Sequence, residues 1–195
     1  MESKTHAVKI TVVGDGGVGK TSLILTYSRD HYPRDYFPGM FENESKRTTF
    51  ANQTVDVSIW DTGGQDEYDR LRPLAYPDTD VFLICFCVTT PTSFERVRTK
   101  WLPEVAHHCP NVPTLLVGTR TDLRSDGGDG DDDGRTAQLH IRAEQGQQLA
   151  EEIEASMYLE CAAKTQDGVM NLFDEAIRVA LSAAQKNGKK SCYLS

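Results

Sequence analysis

The chain has 195 residues, 38% hydrophobic and 26% charged, with a formal net charge of −8. That length supports one domain with a proper core, and the acid excess excludes a general nucleic-acid binder, which needs a basic face. The five cysteines, at 85, 87, 109, 161 and 192, include no C-x-x-C pair, which argues against a cysteine metal site and for reduced thiols. With no apolar leader and no run of about eighteen apolar residues, a cytoplasmic protein that does not span a membrane is expected.

Residues 7–13 alternate as a strand does, with Val8, Ile10 and Val12 on one side. Directly behind them stands Gly14-Asp15-Gly16-Gly17-Val18-Gly19-Lys20-Thr21, a complete G-x-x-x-x-G-K-S/T phosphate loop. Residues 22–27 then open a helix. This strand–loop–helix context gives the motif its mechanism. Glycines let backbone N–H groups gather round a polyphosphate at a helix N-terminus whose dipole favours negative charge. Lys20 adds a point charge between two phosphates, and the Thr21 hydroxyl can ligate Mg²⁺. The chain is expected to bind a nucleoside di- or triphosphate.

Further along, residues 47–51 and 54–60 read as strands joined by the turn Asn52-Gln53, a connection short enough to make the pair antiparallel. Residues 81–88 form a continuous apolar run, as in a strand buried on both faces. Cys85 and Cys87 share one side of it and read as core thiols. Residues 92–108 read as a helix with Thr92 or Ser93 as cap, and 113–118 as another buried strand. Residues 143–155 look helical, 157–160 form a short strand, and 168–184 the last helix. In that helix Val169, Leu172, Phe173, Ala176, Ile177 and Ala180 recur as one apolar stripe. The alternation predicts an α/β protein: a six-stranded, mostly parallel sheet with one antiparallel edge strand and helices on both faces.

One stretch breaks the pattern. Residues 125–134 are glycine and aspartate apart from Ser125, which superficially suggests a calcium loop. Such a loop needs a bidentate Glu at about its twelfth position. Counted from Asp126 that position holds Ala137, and from Asp129 it holds His140. The stretch reads instead as an acidic surface loop.

Three segments narrow the nucleotide. Asp61-Thr62-Gly63-Gly64-Gln65 ends the third strand, where an Asp can hold Mg²⁺, a glycine lets backbone approach a γ-phosphate, and Gln65 can orient the attacking water. After the strand at 113–118 comes Thr119-Arg120-Thr121-Asp122. A carboxylate there accepts both N–H donors of guanine's edge, a pair that adenine lacks. Cys161-Ala162-Ala163-Lys164 follows the last strand, where a backbone N–H can meet guanine's O6.

With these motifs in order after successive strands, the chain resembles the Ras superfamily of small GTPases and, within it, the Rho family, near its Rac-like members. The resemblance runs from about Val8 to Leu181, most closely over residues 60–80, with Trp101-Leu102-Pro103-Glu104-Val105 and Cys109-Pro110-Asn111-Val112-Pro113 adding to it. It implies a P-loop small GTPase domain over residues 1–181, a Rho-type insert near 124–145, and a hypervariable tail over 182–195. It also implies that Gly16, Gly17, Val18, Gly19 and Lys20 hold phosphates, with Thr21, Ser22 and Gly64 among the nucleotide-binding residues. Tyr32, Thr119, Arg120, Asp122, Ala163 and Lys164 surround guanine, Thr21 and Asp61 serve Mg²⁺, and Gln65 positions water. The first switch carries Tyr36, Pro38, Gly39, Phe41, Glu42 and Glu44; the second runs from Gly63 to about Tyr76 and includes Tyr68.

By the same resemblance the protein is a monomer cycling between GTP and GDP, served by Rho-type exchange factors, activating proteins, a dissociation inhibitor and effectors, and acting on the actin cytoskeleton. Three positions depart from the family. Gly39 stands where a Thr hydroxyl ligates Mg²⁺, which implies a poorly ordered first switch and weaker Mg²⁺ retention. Gly63 replaces Ala, which implies a looser second switch, and Glu44 replaces an effector-facing Tyr. The terminal Cys192-Tyr193-Leu194-Ser195 fits C-a-a-X, so Cys192 is the expected lipidation site. Behind Lys186, Lys189 and Lys190 this implies reversible attachment to the cytoplasmic face of membranes, the plasma membrane first among them. Gly39 leaves a second reading open: a guanine-nucleotide-binding scaffold whose first switch is impaired. A P-loop kinase or ATPase fits less well, because Asp122 suits guanine and no lid segment is evident.

Overall fold

The computed structural model describes residues 5–33, 43–127 and 140–191. Strand β1 (His6–Gly14) leads through the phosphate loop into helix α1 (Lys20–Arg29). The hairpin β2 (Asn43–Phe50) and β3 (Gln53–Asp61) follows, then two 3₁₀ turns, Asp66–Tyr68 and Arg72–Ala75. Strand β4 (Val81–Cys87) precedes α2 (Pro91–Arg96), a π-helical turn (Val97–Trp101) and α3 (Leu102–His108). Then come β5 (Thr114–Thr119), a 3₁₀ segment (Thr121–Gly127), α4 (Ala143–Glu152), β6 (Met157–Glu160) and α5 (Val169–Ser191). The strands lie in the order β2-β3-β1-β4-β5-β6. Only the β2–β3 pairing is antiparallel, as expected for a hairpin on a parallel sheet.

Two apolar layers explain the strand patterns. Val8, Ile10 and Val12 of β1 and Val81, Leu83, Cys85 and Cys87 of β4 face α1 and α5, where they meet Leu23, Tyr27 and the whole Val169–Ala180 stripe. Phe82, Ile84 and Phe86 point the other way, against Trp101, Val105, Leu149 and Ala150. The apolar run of β4 is therefore two half-faces interleaved, as a strand covered on both sides requires. Cys85 and Cys87 are free, buried thiols on one face, and burial pushes the Cys85 thiol up to about 12.

Several boundaries differ from the sequence expectation. The hairpin turn is Ala51-Asn52, not Asn52-Gln53: both turn residues take positive φ (48° and 61°) and Phe50 pairs with Gln53, the two-residue geometry that matches strand twist. Strand β2 begins at Asn43, earlier than the apolar pattern indicated, because backbone pairing with β3 carries it through polar residues. Neither Thr92 nor Ser93 caps the next helix. Pro91 takes its first position, and the Ser93 hydroxyl donates to Thr90 O at 2.7 Å and accepts from Cys87 N at 3.0 Å. The stretch read as one helix over 92–108 contains the wide π turn just ahead of Pro103, whose missing N–H leaves the usual ladder broken there. Helix α4 ends at Glu152, and α5 runs on to Ser191.

Candidate functional site

The phosphate loop crosses the C-terminal ends of the central strands, the usual ligand position in an open parallel sheet. Gly17 and Gly19 take left-handed conformations (φ 80° and 97°), letting the loop curl tightly before α1. The Lys20 ammonium folds back over it, donating to Gly14 O and Asp15 O at 2.8 Å each. Burial lowers the Lys20 pKa, while the neighbouring Asp61 charge opposes that shift.

At the start of α1 the Thr21 hydroxyl donates to Asp61 Oδ2 at the end of β3. A hydroxyl and a buried carboxylate thus converge beside the phosphate cradle, a hard-oxygen pair of the kind Mg²⁺ takes together with phosphate oxygens and water. Among the described residues no group of three or more His, Cys, Asp or Glu could hold a metal. A Mg²⁺ site of this type needs only one or two protein oxygens, and these residues fit it.

The segment after β3 lies on the loop. A Cβ on Gly64 would fall 2.3 Å from Gly14 O and 2.4 Å from Gly16 N, so the backbone there approaches as only glycine allows. The Gln65 side chain follows over Gly16, its Cγ 3.3 Å from where a Gly16 Cβ would stand.

Beside the phosphate loop is a cavity of about 210 Å³. It gathers Gly19, Ser22, Tyr32, Thr119, Arg120, Asp122, Ala163 and Lys164, residues from four separate stretches of the chain. Cys161, at the head of the 161–164 segment, also lines it, as do Leu23 and Leu123, whose apolar side chains give no chemical signal in the sequence. The Thr119 hydroxyl donates to Val18 O at 2.6 Å and lies 2.9 Å from Phe86 O, tying this wall to the phosphate loop. Arg120 takes a left-handed φ of 59°, and its stem lies across Gly19, Cγ 3.9 Å from a Cβ built there.

A second feature escaped the sequence reading altogether. Arg72 is fully buried, donating from Nε to Gly63 O (2.7 Å), from Nη1 to Glu104 Oε2 (2.6 Å), and from Nη2 to Asp69 Oδ1 (2.7 Å) and Gln65 O (3.1 Å). Its guanidinium lies 4.6 Å from the centre of the Trp101 ring. Arg96 and Lys100 reach Asp66 Oδ1 at 2.6 and 2.5 Å, and Lys100 also reaches Asp69 at 2.7 Å. The segment 63–72 is thereby tied to α2, the π turn and α3. A surface-looking Arg-Leu-Arg string carries no sign of such burial.

Of the proposed switch residues, Tyr68 lies in the first 3₁₀ turn and Glu44 on β2, where it accepts from Arg29 Nη2 at 3.0 Å. Tyr36, Pro38, Gly39, Phe41 and Glu42 lie outside the described residues, as do the acidic stretch 128–139 and Cys192.

The loop between β1 and α1, the lysine folded over it and the adjoining cavity at the strand ends define a P-loop nucleotide-binding α/β protein. The Ras family model matches residues 9–182. The chain belongs to the Ras family, the GTP-binding small GTPases that switch between nucleotide states and generally use Mg²⁺.

Proposed function

We propose that the protein is a Rho-type guanine-nucleotide switch that hydrolyses GTP slowly and recruits effectors at membranes in actin cytoskeleton signalling. The observation that carries the guanine assignment is the convergence of Asp122, Arg120, Lys164 and Tyr32 in one cavity beside the phosphate loop. In this reading Asp122 accepts guanine's ring N–H and exocyclic amine, and the Arg120 stem covers the base plane. Lys20 and the loop amides hold the β- and γ-phosphates. Thr21 and Asp61 would hold Mg²⁺, which would supply neutralisation of phosphate charge there. Gln65 orients a water whose oxygen bonds to the γ-phosphorus as the bond to the bridging oxygen breaks, releasing phosphate and leaving GDP.

The Rho-type assignment rests on residues 60–80 and on the two short motifs at 101–105 and 109–113. Regulators of that type, an exchange factor, an activating protein donating an Arg, and a dissociation inhibitor, follow from it. Cys192 within C-a-a-X is the proposed lipid anchor; one chain plus a thin lysine patch gives reversible attachment. A second reading is favoured by Gly39: a guanine-nucleotide scaffold whose first switch does not close conventionally.

Single-turnover GTP hydrolysis with and without a Rho-type activating domain separates the two readings. Acceleration supports the switch, and its absence together with tight GDP binding supports the scaffold. Displacement of bound GDP by equimolar ATP would overturn the guanine assignment. Equal membrane content of wild type and Cys192→Ser after cell fractionation would refute the anchor.

A further inference from the structure

We infer that Arg72, held by Glu104 of α3, is the positioning residue for Gln65, a step that rests on the reading of Gln65 as the water-orienting group. The guanidinium is fully buried and spends three of its hydrogen bonds outside the Glu104 pair: one on the Gly63 carbonyl, one on the Gln65 carbonyl and one on Asp69. The two carbonyls flank Gly64, the residue whose backbone lies on the phosphate loop. A peptide unit is planar and trans, so its C=O and N–H point in opposite directions. Holding the Gly63 carbonyl therefore turns the Gly64 N–H away from Arg72, and holding the Gln65 carbonyl fixes the backbone from which the Gln65 side chain projects over Gly16.

The guanidinium is itself fixed. Glu104 accepts from Nη1 through Oε2 and from the Tyr76 hydroxyl through Oε1, and the Trp101 ring lies 4.6 Å from the guanidinium carbon. A buried cation needs this pairing, and only a planar fork can bond two carbonyls and two carboxylates at once. Lysine, a point charge on a flexible stem, cannot hold both carbonyls in that geometry. The chain thus carries its support for the water-orienting residue on α3, outside the nucleotide site.

The test is single-turnover GTP hydrolysis on the full chain, preloaded with nucleotide, for Arg72→Lys, Glu104→Gln, Gln65→Ala and the two doubles with Gln65→Ala. Displacement of a reacting group by about an ångström costs roughly a hundredfold in rate. Arg72→Lys is expected to slow hydrolysis by about ten- to a hundredfold, and Glu104→Gln in the same direction but less. GDP release should stay within about twofold, since nothing that touches the nucleotide is altered. Neither substitution should slow the Gln65→Ala background further, the non-additivity expected of residues acting as a unit. If Arg72→Lys does not fold, the Glu104→Gln cycle is read in its place. A folded variant that hydrolyses at the wild-type rate, or that slows the Gln65→Ala background as much as the parent, overturns the role of Arg72 and leaves that of Gln65 standing. Wild-type hydrolysis by Gln65→Ala itself overturns both.

Discussion

Trp101 donates its indole N–H to Asp15 Oδ1 across 2.7 Å, so a residue of the π turn holds the phosphate loop by a side chain. Arg96 Nε stands 3.2 Å from the same oxygen. The wide turn ahead of Pro103 places Trp101, fully buried, between the loop and the segment after β3. Trp101→Phe keeps most of the ring and removes the donor, leaving a largely buried carboxylate with Arg96 alone. Hydrogen bonds to charged groups contribute about 1.5–3 kcal/mol, so urea unfolding should show a loss of that order, with faster GDP release. Unchanged stability and release would mean that Asp15 is held by Arg96 alone.

Gly63 has its missing side chain's place occupied. A Cβ there would stand 2.6 Å from Tyr68 Cδ2 and 3.0 Å from Cγ. By resemblance the departure from Ala implies a looser second switch; the structure instead fills the gap with an aromatic ring. Gly63→Ala should therefore drive Tyr68 off the backbone. The ring is only partly buried and can swing out, so overpacking should cost about 1 kcal/mol, the low end for such changes. Trypsin cleavage after Arg70 should also quicken. A crystal structure of the variant with Tyr68 in place would refute this.

The fold was legible because its signals are local. The β4 run, the α5 stripe and the G-x-x-x-x-G-K-T loop each declare themselves within about a dozen residues, and two-sided burial follows from apolar continuity alone. The residues that line the cavity beside the phosphate loop were legible for another reason: polar groups at strand ends are where a parallel sheet puts its ligands. What stayed hidden depends on pairings distant in sequence. Arg72 meets Glu104 and Asp15 meets Trp101 only once the chain has folded, and an Arg in a polar string has no local mark of burial. The π turn was hidden because residues 92–108 read as one helix, and a single wide turn within it leaves no periodicity of its own in the sequence.

The Asp66 carboxyl gives the clamp a pH signature. Hydrogen bonds from Lys100 and Arg96, reinforced by their charges, hold it down to about 2 from an ordinary 3.8. A carboxyl whose pKa is depressed by folding contributes stability that is fully present above its unfolded value and is lost as pH falls through the folded one. The difference in stability between wild type and Asp66→Asn should therefore hold steady from neutral pH to about pH 5 and close between about pH 4 and 2. Asp66 is exposed, so the difference is small and salt should shrink it. A difference that persists unchanged at pH 2 would show that the carboxylate's charge plays no part.

On the proposed reading of Thr21 and Asp61 as Mg²⁺ ligands, Gly39 bears on how firmly the ion is kept. Thr21 and Asp61 already bring a hydroxyl and a carboxylate together at the cradle, and a first-switch Thr would add a further oxygen in the GTP state. Glycine keeps the backbone groups, lacks that oxygen and adds chain entropy to be lost on closure. Changes to groups around a bound metal commonly alter its affinity by about 10–100-fold. Gly39→Thr should accordingly lower the Mg²⁺ concentration that half-protects a bound non-hydrolysable GTP analogue from release by at least about tenfold. The same titration with GDP bound should barely move, because the added hydroxyl acts only when a γ-phosphate draws the switch in. Equal shifts with both nucleotides would place the effect in chain entropy rather than ligation, and no shift with either would show that Gly39 costs this switch nothing.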